Sequence, residues 1–258
     1  MIRLLDGKEW EKKELLDRMD DDSFYYGYLG EAALSSSSIK SLYESPVKYK
    51  SYLTKDNSNV PALRDGRLFH TLVLEYEKIP EKYIFVDAST RNTNKYKDAK
   101  ADNPGMEVML NKELSYFKYL VKCLESNYEA SELLRGGAAE LPGIGEINDF
   151  PFRGKADYLT TDRIVDVKTT NDIGSWVYTA RHKWHYDVQA YIYMELFNVQ
   201  KFTFLVIDKG TGEIGIYECS DEALERGKKK VEVACNNYRK YFYDKTENVN
   251  EYVRRGYI

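Results

Sequence analysis

The chain has 258 residues, of which 43% are hydrophobic and 31% charged, and a net charge of −4. These are the proportions of a globular protein long enough to bury a sizeable core. The longest apolar stretches, such as Phe202–Ile207, are too short to span a bilayer, and no charged-then-apolar leader opens the sequence. With Cys123, Cys219 and Cys235 forming no Cys-x-x-Cys pair, membrane spans, secretion, disulfide frameworks and zinc or iron–sulfur centres are disfavoured, and a cytoplasmic protein is expected.

Taken in chain order, the N-terminal third reads as helical. Ser35–Ser38 supplies N-caps for a helix through Leu42, stopped before Pro46. A second helix fits Ala62–Glu75, with Leu63, Phe69, Leu72 and Val73 as its apolar face. Residues Ser89–Gly105 are polar and are expected to form a mobile loop, and a longer helix is expected from Glu107 to about Ser126. From Ala138 the pattern changes to strands. Ala139–Ile147 and Phe150–Leu159 are joined by Asn148-Asp149, and Arg163–Thr169 follows Thr161-Asp162. Next come a helix from about Trp184 to Phe197, a hairpin (Phe202–Ile207, Lys209–Gly212, Ile214–Glu218) and a final helix from about Asp221 to Tyr243. This order predicts an α/β protein with a central mixed sheet flanked by helices. One domain over 1–258 is expected, with a helical part to about residue 130 and a core from about 131 to 243.

Strand register carries the functional argument. If both Asn148-Asp149 and Thr161-Asp162 are two-residue turns, Glu140 falls opposite Asp157, and Asp157 opposite Asp166. Residues directly opposite share a face, so three carboxylates would stand in one row, with Cβ atoms about 5 Å apart. Such crowding is unfavourable without a cation, and carboxylate oxygens suit Mg²⁺ or Mn²⁺. Lys168, two residues beyond Asp166, shares that face and could orient or deprotonate a water, or stabilise charge on a phosphate. Asp-x-Lys also occurs at Asp6–Lys8 and Asp98–Lys100, but only Asp166–Lys168 sits among Ile164, Val165 and Val167, where an unpaired Asp would be costly. Glu146 rivals Glu140 by parity, yet lies roughly 20 Å from Asp157 under this register, at ~3.3 Å per residue.

Gly154–Asp157, then Ile164–Thr170, then Tyr186–Tyr193 together resemble the PD-(D/E)xK nuclease superfamily. The likeness is greatest to its RecE branch (exodeoxyribonuclease VIII type), related to the RecB nuclease domain and lambda exonuclease. Leu34–Lys40, Glu44–Pro46 and Asp65–Glu75 extend the resemblance, which runs from about residue 25 to 243. It implies Asp157, Asp166 and the Val167 carbonyl as metal ligands, Lys168 as the catalytic lysine, and His70 as a histidine approaching the metal from the N-terminal helix. Glu140 lies where that family places an additional acid. Gln189 and Tyr193 match its glutamine and tyrosine. Spaced i and i+4, with Tyr186 three residues before, they can share a face toward the cleft. Gly66 and His70 are also four apart, so the glycine could let their helix approach the sheet. His182 and His185 match no family role.

The expected function is therefore a Mg²⁺-dependent exonuclease acting on linear double-stranded DNA ends. The resemblance implies 5′-to-3′ polarity, a ring-shaped homo-oligomer, a single-strand annealing partner and a role in phage recombination. A structure-specific endonuclease using the same site, or a non-catalytic DNA-end-binding protein, are the alternatives. Local cations could track phosphates despite the net negative charge: Lys48, Lys50 and Lys55; Arg91, Lys95, Lys97 and Lys100; Arg181 and Lys183; Lys228–Lys230. The 23 tyrosines could support base stacking.

Overall fold

The computed structural model describes residues 1–54 and 60–255; Lys55, one of the cations named above, lies outside them. Two short strands, β1 (Ile2–Arg3) and β2 (Glu9–Trp10), lead into α1 (Lys12–Arg18), a π-helical turn at Ser23–Tyr28, and α2 (Leu29–Ala32). Four helices follow: α3 (Ser36–Glu44), α4 (Pro46–Leu53), α5 (Pro61–Leu74) and α6 (Ile79–Lys82). Then come β3 (Tyr83–Val86), α7 (Asn94–Asp102), β4 (Glu107–Leu110), α8 (Asn111–Ser126) and α9 (Tyr128–Leu133). The second half runs β5 (Ala138–Ile147), β6 (Phe150–Leu159), β7 (Arg163–Thr170), α10 (Trp176–His182), α11 (Tyr186–Phe197), β8 (Lys201–Asp208), β9 (Ile214–Glu218) and α12 (Asp221–Tyr238). No helix among the described residues is long and apolar enough to cross a membrane.

Local chemistry explains most boundaries. Ser35 caps α3 reciprocally: the Ser38 N–H donates to Ser35 Oγ at 3.3 Å, and the Ser35 N–H donates to Ser38 Oγ at 2.8 Å. Ser45 caps α4, with Pro46 in the first turn, where its missing N–H does no harm. Asn148 and Asp149 both take positive φ, 51° and 68°, as a tight hairpin turn matching the strand twist requires.

Three expectations are corrected. Residues 89–105 are not a structureless loop: Thr93 caps α7, and buried Tyr96 donates to the Val108 carbonyl at 2.8 Å among Val86 and Leu110. One aromatic anchor orders a segment whose average composition is polar. The residues from Glu107 first form β4, paired parallel with β3, and the helix starts only at Asn111. Leu63 is exposed, so the buried face of α5 is Leu68, Phe69, Thr71 and Leu72. Helix α10 was not expected.

The main sheet has the order β5-β6-β7-β8-β9, antiparallel except for the parallel β7–β8 pair. Its faces are covered by two cores. Ile164, Phe204 and Phe152 meet Ile39 of α3, Val188 and Ile192 of α11, and Val231 of α12. Val165, Val167 and Leu205 meet Phe69 and Leu72 of α5 and Phe117 and Leu120 of α8. Burial on both faces explains why β7 is apolar at consecutive positions. Gly154 lets α11 press on β6: a Cβ there would lie 2.8 Å from the Tyr193 ring and 3.2 Å from Leu196. Gly66 has no such purpose, because a Cβ there meets nothing within 4 Å; the approach of α5 is set by its apolar residues.

Strands β6 and β7 pair only at Tyr158–Val165 and Leu159–Ile164, then part. Farther back along β6, Leu34 supplies the backbone partner. Its N–H donates to the Pro151 carbonyl at 2.9 Å, and its carbonyl accepts from the Arg153 N–H at 2.8 Å. Helix α3 therefore starts from the edge that β7 vacates.

Candidate active site

The site forms where β6 and β7 separate. Counting along both hairpins keeps the expected register, with Ala138 facing Leu159 and Leu141 facing Ala156 on either side of Glu140. Side-chain alternation nevertheless slips there: Ala156 and Leu159 join one core, and Tyr158 the other. At the same level Glu140 adopts a left-handed backbone, φ 52°, which costs about 1–3 kcal/mol in a non-glycine residue. The expected flush row of three carboxylates is thus replaced by a different cluster. Glu140, Asp157 and His70 each place one donor atom within 4.8 Å of the others. Asp166 stands beside them on β7, turned to other partners. Glu146 is exposed opposite Pro151, so Glu140 and not Glu146 is the glutamate beside Asp157.

Asp157 is buried, and its Oδ2 accepts the Val167 N–H at 2.8 Å. His70 Nε2 lies 2.5 Å from the Val167 carbonyl, which can only accept, so Nε2 carries the hydrogen. The other ring nitrogen, Nδ1, lies 3.5 Å from Asp157 Oδ2. Two carboxyl groups and an imidazole nitrogen thus converge on one point, an arrangement that a cation can bridge. Burial, reinforced by Asp157, pushes the Glu140 carboxyl up to about 8. Two carboxylates and an imidazole are suitable donors for a hard or borderline divalent ion, and the residues present fit one.

On β7, Asp166 is fully buried. Its Oδ1 is ion-paired with the Lys168 ammonium, and its Oδ2 accepts from Gln189 Nε2 at 2.6 Å. Burial raises Asp166 to about 6 in spite of Lys168. For Lys168 burial acts downward, but Asp166 and Asp157 outweigh it, and the amine is raised above its ordinary value. Lys168 Nζ is also 4.0 Å from Asp157 Oδ2, so one ammonium links the carboxylates of the two parted strands.

The three residues expected on the cleft face of α11 have different places. Gln189 holds Asp166. The Tyr186 ring lies beneath Lys168, whose Nζ is 5.6 Å from its centroid. Tyr193 is buried between Phe197 and Phe202 over Gly154 and fills the core rather than the cleft. His185 contacts Lys230 at 3.0 Å, and Lys230 is paired with buried Asp187 at 2.8 Å. Lys40 of α3, a residue without an expected role, comes over Tyr186 from the opposite half of the chain, 4.7 Å from the ring centroid. Only the tertiary fold makes it visible.

A mixed five-stranded sheet flanked by helices, with an acid on one parted strand and Asp-x-Lys on the next, is the PD-(D/E)xK architecture. The sequence matches the family model described as a PDDEXK-like domain of unknown function (DUF3799) over residues 35–250, and the chain belongs to that family. No curated protein matches the sequence. Among solved structures, one described as a "Putative exonuclease" from Eubacterium rectale is similar with a TM-score of 0.65 at 17% identity, covering 98% of this chain and 97% of that one. A phage related exonuclease from Haemophilus somnus is 20% identical over 62% of this chain and 91% of its own, with a TM-score of 0.31, too low to support an inference.

Proposed function

We propose that the chain is a Mg²⁺-dependent deoxyribonuclease that degrades linear double-stranded DNA from its ends, with Mn²⁺ able to substitute. The observation that carries this reading is the convergence of Asp157, Glu140 and His70 within 4.8 Å, beside a lysine paired to Asp166. Those three residues would hold the ion, with Asp166 and the Val167 carbonyl as further oxygen donors. Bound there, the ion supplies Lewis acidity that lowers the pKa of water and neutralises charge on a phosphate. Lys168, kept as an ammonium, donates to the attacking water or to a phosphate oxygen and stabilises the negative charge of the transition state. Its raised pKa suits it to donating rather than to accepting a proton. Gln189 is a positioning residue that fixes Asp166. Glu140 gives up its proton when a cation enters, coupling occupancy to pH.

The finer reading rests on the resemblance of Gly154–Asp157, Ile164–Thr170 and Tyr186–Tyr193 to the RecE branch. It comprises 5′-to-3′ polarity, a 3′ overhang passed to a single-strand annealing protein, a ring-shaped homo-oligomer around DNA, and phage-type recombination in a host cytoplasm. The description of the Eubacterium rectale protein agrees with the exonuclease part.

The test incubates the protein and its Lys168→Ala and Asp166→Ala variants with Mg²⁺ and either linear or covalently closed duplex DNA. Loss of the linear form alone, abolished in both variants and by chelator, is the expected result. Cutting of circles would replace it with a structure-specific endonuclease. Binding without cleavage in any metal would leave a non-catalytic DNA-end-binding protein.

A further inference from the structure

Two ammonium groups approach one aromatic ring in this site, and only one of them is balanced. Lys168 Nζ and Lys40 Nζ lie 5.6 and 4.7 Å from the centroid of Tyr186. Lys168 is paired with Asp166. No carboxylate oxygen among the described residues comes within 4.0 Å of the Lys40 ammonium. Burial and the neighbouring Lys168 push the Lys40 amine down to about 7, the behaviour of a cation lacking its counter-charge.

The route by which Lys40 arrives gives the missing charge a direction. Leu34 bonds to β6 at Pro151 and Arg153, so α3 projects from the same strand that carries Asp157. Tyr43 lies three residues on from Lys40 and shares its face of the helix. It stands edge-on to His185 at 5.2 Å and faces Lys230 at 5.6 Å. Tyr43 also lines a pocket of about 580 Å³ together with Lys48, His182, Lys183, His185 and Arg254, with Glu44 as the acid in its wall. Beyond Lys40, the lysines and arginine at that end of α3 are Lys183, Arg254 and Lys48, the last paired with Glu44. A nucleic-acid strand carries one phosphate per about 3.4 Å of duplex axis, so a phosphate bound at Lys168 brings its neighbour within reach of a second cation on the same ring.

We propose that Lys40 is a phosphate-holding residue that engages the phosphodiester adjoining the one that is cut, on the part of the strand running along α3 toward the Tyr43–Lys183 pocket. This rests on the nuclease reading above. Lys40 binds substrate and leaves the chemical step to Lys168 and the acidic cluster.

The test uses the full chain and a fluorescent blunt-ended DNA duplex. Affinity is read by anisotropy in chelator over a salt series, and cleavage in Mg²⁺ in parallel. Lys40→Met should weaken binding and raise KM by about tenfold with little change in kcat. It should also make the slope of log affinity against log salt shallower by about 0.9, the value of one lost phosphate contact. Lys40→Arg should restore both, and Lys40→Gln should repeat the loss, which separates lost charge from impaired folding. Lys40→Met with an unchanged salt slope, or Lys40→Arg no better than Lys40→Met, overturns the assignment of Lys40. A wild-type protein that binds duplex but never cuts it overturns the nuclease reading, while the salt slopes still judge the phosphate contact. A protein that does neither overturns both.

Discussion

Asp157 and Val167 are joined side chain to main chain: the carboxylate accepts the Val167 N–H at 2.8 Å, just past the last paired residues of β6 and β7. The Val167 carbonyl in turn meets His70 Nε2 at 2.5 Å. A strand that has lost its neighbour's backbone is thus satisfied by two residues of the acidic cluster, so groups proposed for the chemistry also complete the sheet.

The two contributions can be separated at Asp157. Asn keeps an oxygen for the Val167 N–H but loses the charge, so Asp157→Asn should retain most of the stability while kcat falls by at least about 10²-fold. Asp157→Ala should lose the activity and also about 1–3 kcal/mol, because a buried N–H is left unpaired. Denaturant midpoints and single-turnover rates measure both. An active Asp157→Asn enzyme would remove Asp157 from the chemistry.

Gln189 tests whether Asp166 must be held from α11. Gln189→Ala deprives a fully buried carboxylate of a 2.6 Å hydrogen bond and should cost about 1–3 kcal/mol, with kcat reduced more than KM is raised. If the side chain instead grips substrate, KM rises with kcat unchanged.

Proton binding gives a stability signature. The Glu140 and Asp166 carboxyls stand at about 8 and about 6 in the folded chain, against ordinary values of 4.5 and 3.8. Folding therefore favours their protonated forms. Their contribution is complete below about pH 4 and is lost as pH climbs through about 6 and then about 8. Metal-free protein should melt at lower temperature at about pH 9 than at about pH 5.5, and Mg²⁺ should reverse the trend while releasing protons. Glu140→Gln should flatten the upper part of this dependence and weaken metal binding. Melting curves in chelator and in Mg²⁺ check each point, and a flat profile from pH 5.5 to about 9 contradicts the burial of Glu140 beside Asp157.

Two glycines should respond oppositely to alanine. Gly66 is helical with open space where a Cβ would go, so Gly66→Ala should stabilise by about 0.5–1 kcal/mol. At Gly154 the same Cβ would press on Tyr193 and Leu196, and Gly154→Ala should destabilise by about 1–3 kcal/mol. Urea titrations give both values; equal effects would refute this description of the helix–sheet contacts.

Much of the core was legible because its signals are local. Period-two alternation and the Asn148-Asp149 turn placed β5 and β6, and the apolar setting of Asp166–Lys168 singled out the Asp-x-Lys that lies beside the acidic cluster. What escaped is non-local. The register count survived, but the faces slipped at Asp157–Tyr158, at the level where Glu140 takes a left-handed backbone that no neighbouring residue announces. The contact of Gln189 on α11 depends on Asp166 of β7, 23 residues earlier, and that of Lys40 on a ring from the other half of the chain. Averaged polarity hid α7, which a single buried Tyr96 fastens.

The attachment of Leu34 to β6 bears on how the chain comes apart. Peeling the N-terminal segment away would bare the Pro151 carbonyl and the Arg153 amide in the interior of the sheet, where water cannot readily replace the lost partners. Fraying from that end is therefore penalised at the centre of the molecule. Amide exchange at Arg153 should accordingly report the detachment of α3, with the strand's protection failing as soon as the helix leaves.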